Sequence, residues 1–308
     1  MKNSINNYQK YFIPQNEEVL PEGAVKITSF GTTTLLFDDC KNQILIDGLL
    51  TRPSFFKLVT SKIKTDKTLV NRIIKKEKIN RLRAIFVSHS HYDHALDVAY
   101  IANQTNAEIY GSKSTINIGR GGNVPEDKLK LFNMNKPVKI GEFTVTILPS
   151  VHSKPTRFND DIGVAIEKPL KQPAKMQDYT EGGSFDFLVQ HNDKKILVRP
   201  SFNYLEGSLN NIRADVLFLG IGGLGRADIA TKDKFYEETV KKVHPKLVVP
   251  IHWDNFCTSL DKPLKAQIRL FDNLPQGLNY MIKQTNEDQI SFKILQGYQS
   301  VILPKDNI

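Results

Sequence analysis

The chain of 308 residues is poor in cysteine and has no long apolar run, and both shortages exclude classes of protein. The two cysteines, Cys40 and Cys257, cannot form a disulfide framework, and neither has the CxxC partner of a thiolate metal site. A membrane-spanning helix needs about 18 consecutive apolar residues, and the sequence offers no such run. The polar start of the chain, residues 1–15, lacks the apolar centre of a secretory signal. These shortages predict a cytoplasmic protein.

Acidic residues are in the minority: 33 Asp and Glu face 42 Lys and Arg, which gives a formal charge of +9. Much of the excess lies in residues 61–83, which hold nine basic residues and two acids. Apolar residues recur there at helical spacing, from Leu69 to Ile74, so we expect a surface helix with a solvated basic face. The alternative is a rim that attracts an anionic small molecule or lipid headgroup. A nucleic-acid partner is disfavoured, because no aromatic-interleaved basic motif is present.

Short apolar segments alternate with helical patterns along both halves of the chain, which predicts a layered α/β architecture. No low-complexity linker separates the halves, so one domain is expected over residues 1–308, with a short N-terminal extension over about residues 1–22. The glycine-rich residues 119–122 are expected to form a loop. The predicted strands are residues 24–27, 33–37, 43–46, 83–87, 107–110, 143–148, 195–198, 215–219 and 247–251.

Residues 153–183 lack apolar periodicity and are rich in Pro, Lys, Asp and Gly. A segment of this kind inside a compact domain is often a functional loop. Because it directly follows His152, it is a candidate lid over a site at that residue. An ordinary surface insertion is the alternative.

The histidine-rich stretch at residues 88–97, SHSHYDHALD, points to a metal site. Neutral imidazoles and carboxylates are ligands for zinc and similar divalent ions. The stretch offers four such side chains within six positions, namely His89, His91, Asp93 and His94. A buried strand is predicted just before it and a helix just after it, so the cluster lies on a turn where a sheet presents functional groups.

The remaining histidines extend this pattern. The chain has seven, and two more of them, His152 and His252, stand near the carboxyl ends of predicted strands. His191 precedes a predicted hairpin turn, where a solvated imidazole is expected. His244 lies near a helix end, where it would interact favourably with the helix dipole. A parsimonious site therefore uses five histidines and Asp93.

The chain resembles the metallo-β-lactamase superfamily from about residue 23 to residue 256, through SHSHYDH, PSVHS with His152 and PIHWDNF with His252. The resemblance implies an αββα sandwich, in which two β-sheets pack together with helices outside. It also implies that Asp47, in ILIDG, orients the histidine loop. Two divalent ions, of zinc or alternatively manganese or iron, would then be held by two ligand groups. These are His89, His91 and His152 for the first ion, and Asp93, His94 and His252 for the second.

One position departs from the family's pattern. Many hydrolases of the superfamily bridge the two metals with an aspartate after the strand that corresponds to residues 196–198, whereas this chain reads RPSFN at residues 199–203. Ser201 is therefore expected in the bridging position. The six remaining ligands match the set of subclass B3 β-lactamases, which hold two zinc ions without a bridging aspartate. We hypothesise that Ser201→Asp tightens binding of the second ion.

Residues 220–225, GIGGLG, fit the GxGxxG pattern of dinucleotide-binding loops and follow a predicted strand. That fingerprint also needs a helix starting within the motif and an acid about 20 residues later. Here the next helix is predicted near Thr231, and residues 244–246 read His-Pro-Lys. The loop is therefore expected to pack closely beside the metal cleft.

These features predict a metal-dependent hydrolase, because a zinc-type ion lowers the pKa of water to about 7 and so supplies hydroxide. Asp93 and His94 are the expected catalytic residues, and Tyr92 would position substrate or only pack. The motifs look most like the branch of N-acyl-phosphatidylethanolamine phospholipase D and ascorbate-6-phosphate lactonase. The expected substrate is a small-molecule or lipid-like anion with a phosphodiester, ester or lactone bond. The alternatives are a non-hydrolytic metal protein, such as a sensor or iron oxygenase, and a lactam hydrolase.

Overall fold

The structure, a computed structural model, describes residues 4–15, 19–134, 136–154 and 160–305. Strands within these residues form two seven-stranded sheets. In the order in which they pair, the strands of the first sheet are β14 (Ser300–Leu303), β1 (Val25–Ser29), β2 (Leu35–Asp38), β3 (Gln43–Ile46), β4 (Leu82–Phe86), β5 (Glu108–Gly111) and β6 (Leu129–Leu131). Those of the second sheet are β13 (Ser291–Phe292), β12 (Leu247–Ile251), β11 (Val216–Gly220), β10 (Lys194–Arg199), β9 (Ser184–His191), β8 (Phe143–Ser150) and β7 (Val138–Ile140).

The α-helices of the described residues are α1 (Phe55–Thr60), α2 (Lys67–Lys76), α3 (Tyr92–Ala95), α4 (Val98–Thr105), α5 (Lys113–Gly121), α6 (Ile229–Tyr236) and α7 (Leu274–Glu287). Short 3-10 helices cover Ile5–Tyr11, Glu126–Lys128, Met176–Asp178 and Leu224–Arg226, and a π-helical turn over Glu237–Lys241 continues α6. Helix α2 occupies the middle of the basic segment and buries Val70 and Ile73. Among the described residues, no helix has the length and apolar character needed to cross a membrane.

The two sheets pack face to face through alternate residues of their strands. Ile44 of β3 and Phe86 of β4 lie in this inner core with Phe218 of β11. Because successive strand residues point to opposite faces, neighbours such as Leu45 and Leu217 lie in a second core that includes residues of the helices. The arrangement is an αββα sandwich, which confirms the predicted fold class.

Parallel strands direct the candidate site residues to one edge of the sandwich. Strands β3 and β4 run parallel in the first sheet, and β10, β11 and β12 run parallel in the second. The carboxyl ends of parallel neighbours meet at the same sheet edge, which is where ligands bind in sheets of this kind. Asp47 directly follows β3, and His252 directly follows β12. His89 lies shortly after β4, and Ser201 lies shortly after β10.

The N-terminal extension packs on the rest of the chain. Within the 3-10 helix Ile5–Tyr11, the buried Tyr8 donates its hydroxyl to Asn279 of α7, at 2.8 Å. The backbone of Ile13 donates to the carbonyl of Ile294, at 3.2 Å. Residues 1–3 and 16–18 of the predicted extension lie outside the described residues.

Two local predictions are wrong. Residues 119–122 do not form a separate loop, because Gly119 lies in the last helical turns of α5. A Cβ at Gly119 would come within 2.5 Å of Leu129 in β6, so glycine here permits close packing of helix on strand. His191 is not solvated: it is buried at the end of β9, with its Nε2 3.3 Å from the carboxylate of Asp39.

Candidate metal centre

Six side chains that the sequence predicts as metal ligands converge at this edge of the sandwich. They fall into two groups, and within each group the candidate ligand atoms lie within 4.8 Å of one another. The groups are His89, His91 and His152, and Asp93, His94 and His252. The imidazole rings of His89 and His94 are only 3.7 Å apart between centroids, so the two groups are adjacent.

The hydrogen bonding of the histidine nitrogens indicates whether these groups suit a metal. The Nε2 atoms of His89 and His94 are buried and have no hydrogen-bond partner within the part of the chain that the structure describes. Leaving a buried polar atom unpaired costs about 1–3 kcal/mol. The Nδ1 atom of His152 bonds to the carbonyl of Ser153 at 2.9 Å, which leaves its Nε2 to act as a ligand. The donor set therefore fits divalent ions of the zinc type.

The electrostatics of the groups suit cation binding. Burial and the neighbouring imidazoles lower the pKa of His89 well below its usual value, and burial with the charge of His91 lowers the pKa of His152 to about 4. These imidazoles are thus neutral at physiological pH, as metal ligands must be. Burial would raise the pKa of Asp93, but His94 and His252 outweigh it and hold that pKa below its usual range. The Asp93 Oδ2 atom lies 3.3 Å from the Nε2 of His252.

Asp47 supports the histidine loop from β3. Its fully buried carboxylate accepts hydrogen bonds from the backbone N–H of Ser88 at 2.7 Å and from the Ser88 hydroxyl at 2.8 Å. It also bonds to the Nδ1 of His94 at 2.7 Å and to the hydroxyl of Thr33. An ionised carboxylate only accepts hydrogen bonds, so His94 must carry its proton on Nδ1 and present Nε2 to a ligand.

A buried ion pair supports His252. Arg52 and Asp254 bond at 2.7 Å with side chains that are 0% and 1% exposed. The other oxygen of Asp254 accepts a hydrogen bond from the backbone N–H of Thr32 at 2.7 Å. The backbone carbonyl of Thr32 in turn accepts a hydrogen bond from the backbone N–H of His252, also at 2.7 Å. His252 itself has a left-handed backbone, with φ of 57°. The Arg52–Asp254 pair therefore helps to hold His252 in a backbone conformation that residues other than glycine rarely adopt.

The glycine-rich loop lies beside His252. A Cβ at Gly222 would come within 2.7 Å of the His252 carbonyl oxygen, so only glycine allows this approach. The helix α6 begins at Ile229, beyond the motif, and Asp228 caps it by accepting the N–H of Thr231. The motif thus packs against the metal centre, as its sequence context indicates.

Comparison with known families identifies the chain. A model described as a beta-lactamase superfamily domain matches residues 42–253, which is well over half of the chain. The chain belongs to the metallo-β-lactamase superfamily. It is 27% identical over 207 residues to a UPF0173 metal-dependent hydrolase of Anaeromyxobacter sp. (strain K), covering 63% of this chain and 67% of that protein. It is 32% identical over 176 residues to another UPF0173 metal-dependent hydrolase, from Roseiflexus sp. (strain RS-1), covering 57% of this chain and 65% of that protein.

Solved structures share the fold of this superfamily member at low sequence identity. Igni18, a metallo hydrolase from Ignicoccus hospitalis, superposes with a TM-score of 0.56 at 15% identity, over 92% of this chain and 100% of that one. CmlA, a diiron β-hydroxylase from Streptomyces venezuelae, superposes with a TM-score of 0.57 at 13% identity, over 93% of this chain and 55% of that one. These likenesses show the fold alone.

Sequence reasoning missed a second acid that contacts the histidine loop. Asp161 bonds to the Nε2 of His91 through both carboxylate oxygens, at 3.1 and 3.2 Å. Burial opposes ionisation of Asp161, but the hydrogen bond from His91 outweighs it and lowers the pKa of Asp161. His91 therefore donates from Nε2 and keeps Nδ1 as its ligand atom. No periodicity or spacing marks Asp161 in the sequence.

Asp161 belongs to the predicted lid at residues 153–183, whose described part lies on the histidine loop. The carbonyl of Glu181 accepts the backbone N–H of Ser90 at 3.0 Å. The carboxylate of Glu181 accepts the N–H groups of Gly163 and Gly183, both at 2.8 Å. Residues 155–159 of the predicted lid lie outside the described residues.

The carbonyl of His152 is held by a further network of polar side chains that sequence reasoning also missed. The side-chain amide of Asn203 donates to that carbonyl at 2.6 Å, and the Asn203 carbonyl accepts from Arg199 at 3.0 Å. Arg199 is almost fully buried and pairs with Asp186 at 2.9 Å. These hydrogen bonds connect the residues after β10 to the first ligand group.

The candidate metal centre opens into a cavity of about 1240 Å³. Ser201 and Tyr92 line it and are largely buried, and the ring of Tyr92 packs edge-on against Phe256. Cys257 also lines the cavity, and burial raises the pKa of its thiol to about 11. No residue of the basic segment 61–83 is among the described residues that line the cavity. The predicted solvated basic helix therefore describes this segment better than a substrate-attracting rim.

Proposed function

We propose that the protein is a metal-dependent hydrolase that holds two divalent ions of the zinc type in its two ligand groups. The observation that carries the proposal is the pair of adjacent groups, in which the buried Nε2 atoms of His89 and His94 have no hydrogen-bond partner among the described residues. Ions held by these residues would supply hydroxide at neutral pH and would polarise the oxygen of the substrate. Its bacterial relatives are named metal-dependent hydrolases, which agrees with this function.

The side chains of the chain itself orient and hold the reacting groups. Asp93 is ionised, so it would accept the hydrogen bond of the nucleophile while it also acts as a ligand. Asp47 and Asp161 fix the tautomers of His94 and His91. Burial raises the pKa of Tyr92 well above its usual value, so its phenol stays protonated and is able to donate a hydrogen bond to a substrate oxygen.

The lid segment would exclude water from the centre. Its Asp161 contacts His91, and residues such as Met176 and Tyr179 line the cavity. Excluding water strengthens the electrostatic interactions inside a site. The contact of Asp161 with a candidate ligand couples the position of this segment to the geometry of the centre.

The scissile bond is proposed to be a phosphodiester, ester or lactone, as in the branch that the motifs resemble. Two divalent ions and the single ligand carboxylate of Asp93 leave the centre positively charged, which favours a substrate whose reacting group carries or develops negative charge. We place the protein in the cytoplasm, since both cysteines are free and Cys40 is exposed.

A non-hydrolytic iron protein is the second candidate. It is favoured by Ser201, which supplies no bridging carboxylate, and by the fold shared with the diiron β-hydroxylase CmlA. The six remaining candidate ligands favour the hydrolase. Metal analysis separates the two proposals: two zinc-type ions per chain support the first, and iron with no hydrolysis of any ester supports the second.

The proposed function is tested by metal analysis followed by assays with bis-p-nitrophenyl phosphate, a lactone and nitrocefin. His252→Asn should abolish the hydrolysis that is found. His244→Asn is the matched control, because His244 is exposed and its backbone is also left-handed. Its φ of 52° is close to the 57° of His252. Equal activity in both variants would contradict the ligand assignment, and turnover of nitrocefin alone would identify a lactam hydrolase.

A further inference from the structure

Aromatic and aliphatic side chains, here called the wall, line the cavity both next to the candidate metal centre and at more exposed positions. At the inner end, the ring of Phe256 lies 5.9 Å from the ring of His252. At the outer end, Phe55 of α1 and Phe271 form a tilted pair with centroids 6.4 Å apart. All three phenylalanines line the same cavity, together with Val59, Phe202 and Ile268.

The outer part of this wall is exposed. Phe55 is 54% exposed, Val59 is 53% exposed and Ile268 is 49% exposed. Scattered apolar residues on a surface need no explanation, but a contiguous apolar patch marks a binding site. Here the exposed apolar residues line the same cavity as the candidate metal centre. We therefore expect part of the substrate to bind against them.

The charges of the cavity describe that occupant further. Apart from the ligand Asp93, the described lining residues include two bases, Lys154 and Arg226. They also include five acids, of which Asp161 bonds to His91 at the candidate metal centre and the other four are Asp160, Glu206, Asp228 and Asp272. A negative charge remote from the metal centre would meet this acidic excess, so an uncharged group fits the wall better.

The size of the cavity excludes a very small substrate as its full occupant. Ligand pockets usually measure about 300–1,000 Å³, and this cavity measures about 1240 Å³. A nitrophenyl or phosphate group would fill a small part of it and leave the wall in contact with water. An extended apolar group would remove that surface from water, which is favourable in proportion to its area.

We propose that the substrate carries an extended, uncharged acyl or alkyl chain that lies along this wall, with its scissile bond at the metal centre. This inference rests on the proposed hydrolase function and names its substrate class. Phe55 and Phe271 would be specificity-determining residues that contact the far part of the chain.

The first experiment measures kcat/KM for p-nitrophenyl esters with acyl chains of two, four and eight carbons, below their micellar concentrations. Burying a methylene is worth about 0.8 kcal/mol, so kcat/KM should rise by up to about fourfold for each methylene that contacts the wall. Phe55→Ala should flatten this rise for the longest chain. Phe56→Ala is the matched control, because Phe56 follows it on α1, is 75% exposed and does not line the cavity.

A binding experiment separates failure of this inference from failure of the proposed function. Calorimetry of the zinc-loaded protein with butylphosphonate and octylphosphonate needs no turnover. Tighter binding of octylphosphonate that Phe55→Ala weakens and Phe56→Ala does not would support the apolar chain, even if no ester were cleaved. Equal binding of both phosphonates together with equal cleavage of short and long esters would overturn it and leave the hydrolase intact.

One further outcome would overturn the inference in favour of a lipid surface. If chain-length dependence appeared only with esters embedded in phosphatidylcholine vesicles, and Phe56→Ala removed it as strongly as Phe55→Ala, the exposed phenylalanines would contact the vesicle rather than the chain of the substrate. Measuring kcat/KM for the same esters before and after vesicles are added distinguishes these cases.

Discussion

Replacing Asp47 by asparagine should weaken metal binding through a change in the tautomer of His94. The Asp47 carboxylate accepts hydrogen bonds from the backbone and hydroxyl of Ser88, from Thr33 and from His94 Nδ1. In Asp47→Asn, one oxygen becomes an amide nitrogen that donates rather than accepts. If that nitrogen faces His94, the imidazole must accept at Nδ1 and carry its proton on Nε2, the atom that would bind the metal.

The size of the effect follows from the role of Asp47. Loss of a hydrogen-bonding partner of a metal-ligating histidine typically costs about 10–100-fold in metal affinity, which corresponds to about 1.4–2.7 kcal/mol. The loss should fall on the group of Asp93, His94 and His252, because only His94 among the six candidate ligands contacts Asp47 directly. Buried donors left without an acceptor should also lower the stability of the metal-free protein by about 1–3 kcal/mol.

Competition with a chromophoric zinc chelator measures both binding events, and thermal unfolding of the metal-free protein measures the stability term separately. Asp39→Asn is the matched control, because Asp39 is a buried carboxylate 3.3 Å from the imidazole of His191, which is not a candidate ligand. Asp39→Asn should leave both zinc affinities unchanged. The tautomer argument is refuted if Asp47→Asn binds two zinc ions as tightly as the unaltered protein while its metal-free stability falls.

Other perturbations test the remaining supports of the centre. Asp161→Asn should lower zinc affinity by about tenfold or more, since His91 loses its orienting carboxylate, and the same competition assay measures this. Asp254→Ala should cost about 3–5 kcal/mol of unfolding free energy in urea, because it leaves the buried Arg52 unpaired. Ser201→Asp should tighten the second zinc ion, and unchanged affinity and stoichiometry would count against a bridging position. Removing bound zinc with a chelator should lower the melting temperature, since only the folded state presents the assembled ligands.

Much of the sandwich could be predicted because its central strands, such as β3 and β12, are buried on both faces. The predicted strand 43–46 coincides with β3, and the predicted strand 247–251 coincides with β12. Residues such as Leu45 and Val248 contact helices while their neighbours face the other sheet, so these strands read as continuous apolar runs. A short apolar run with turn residues at each end is a strong local signal.

Some of the elements that were not predicted depend on contacts between distant parts of the chain. Strand β14 pairs with β1, so Val301 meets Ile27 across almost the whole sequence. The burial of His191 likewise involves residues distant in sequence, since Asp39 and Phe143 contact its ring. Helix α7 was also not predicted, although its sequence carries local signals. Its apolar residues recur at helical spacing, and Pro275 stands in its first turn.

The two acids that orient the histidine loop show where sequence reasoning about the site ends. Asp47 directly follows a predicted strand whose parallel neighbour leads to the histidines, so its position at the site edge follows from topology. Asp161 reaches His91 only because the segment after β8 returns across the loop, held by Glu181 to Ser90. The resemblance to the fold family implies the ligands and Asp47, whereas the contact of Asp161 with His91 depends on how the segment after β8 folds back over the histidine loop. The position of Asp47 beside the histidine loop is therefore predictable from sequence, whereas the tautomers of His94 and His91 require the structure.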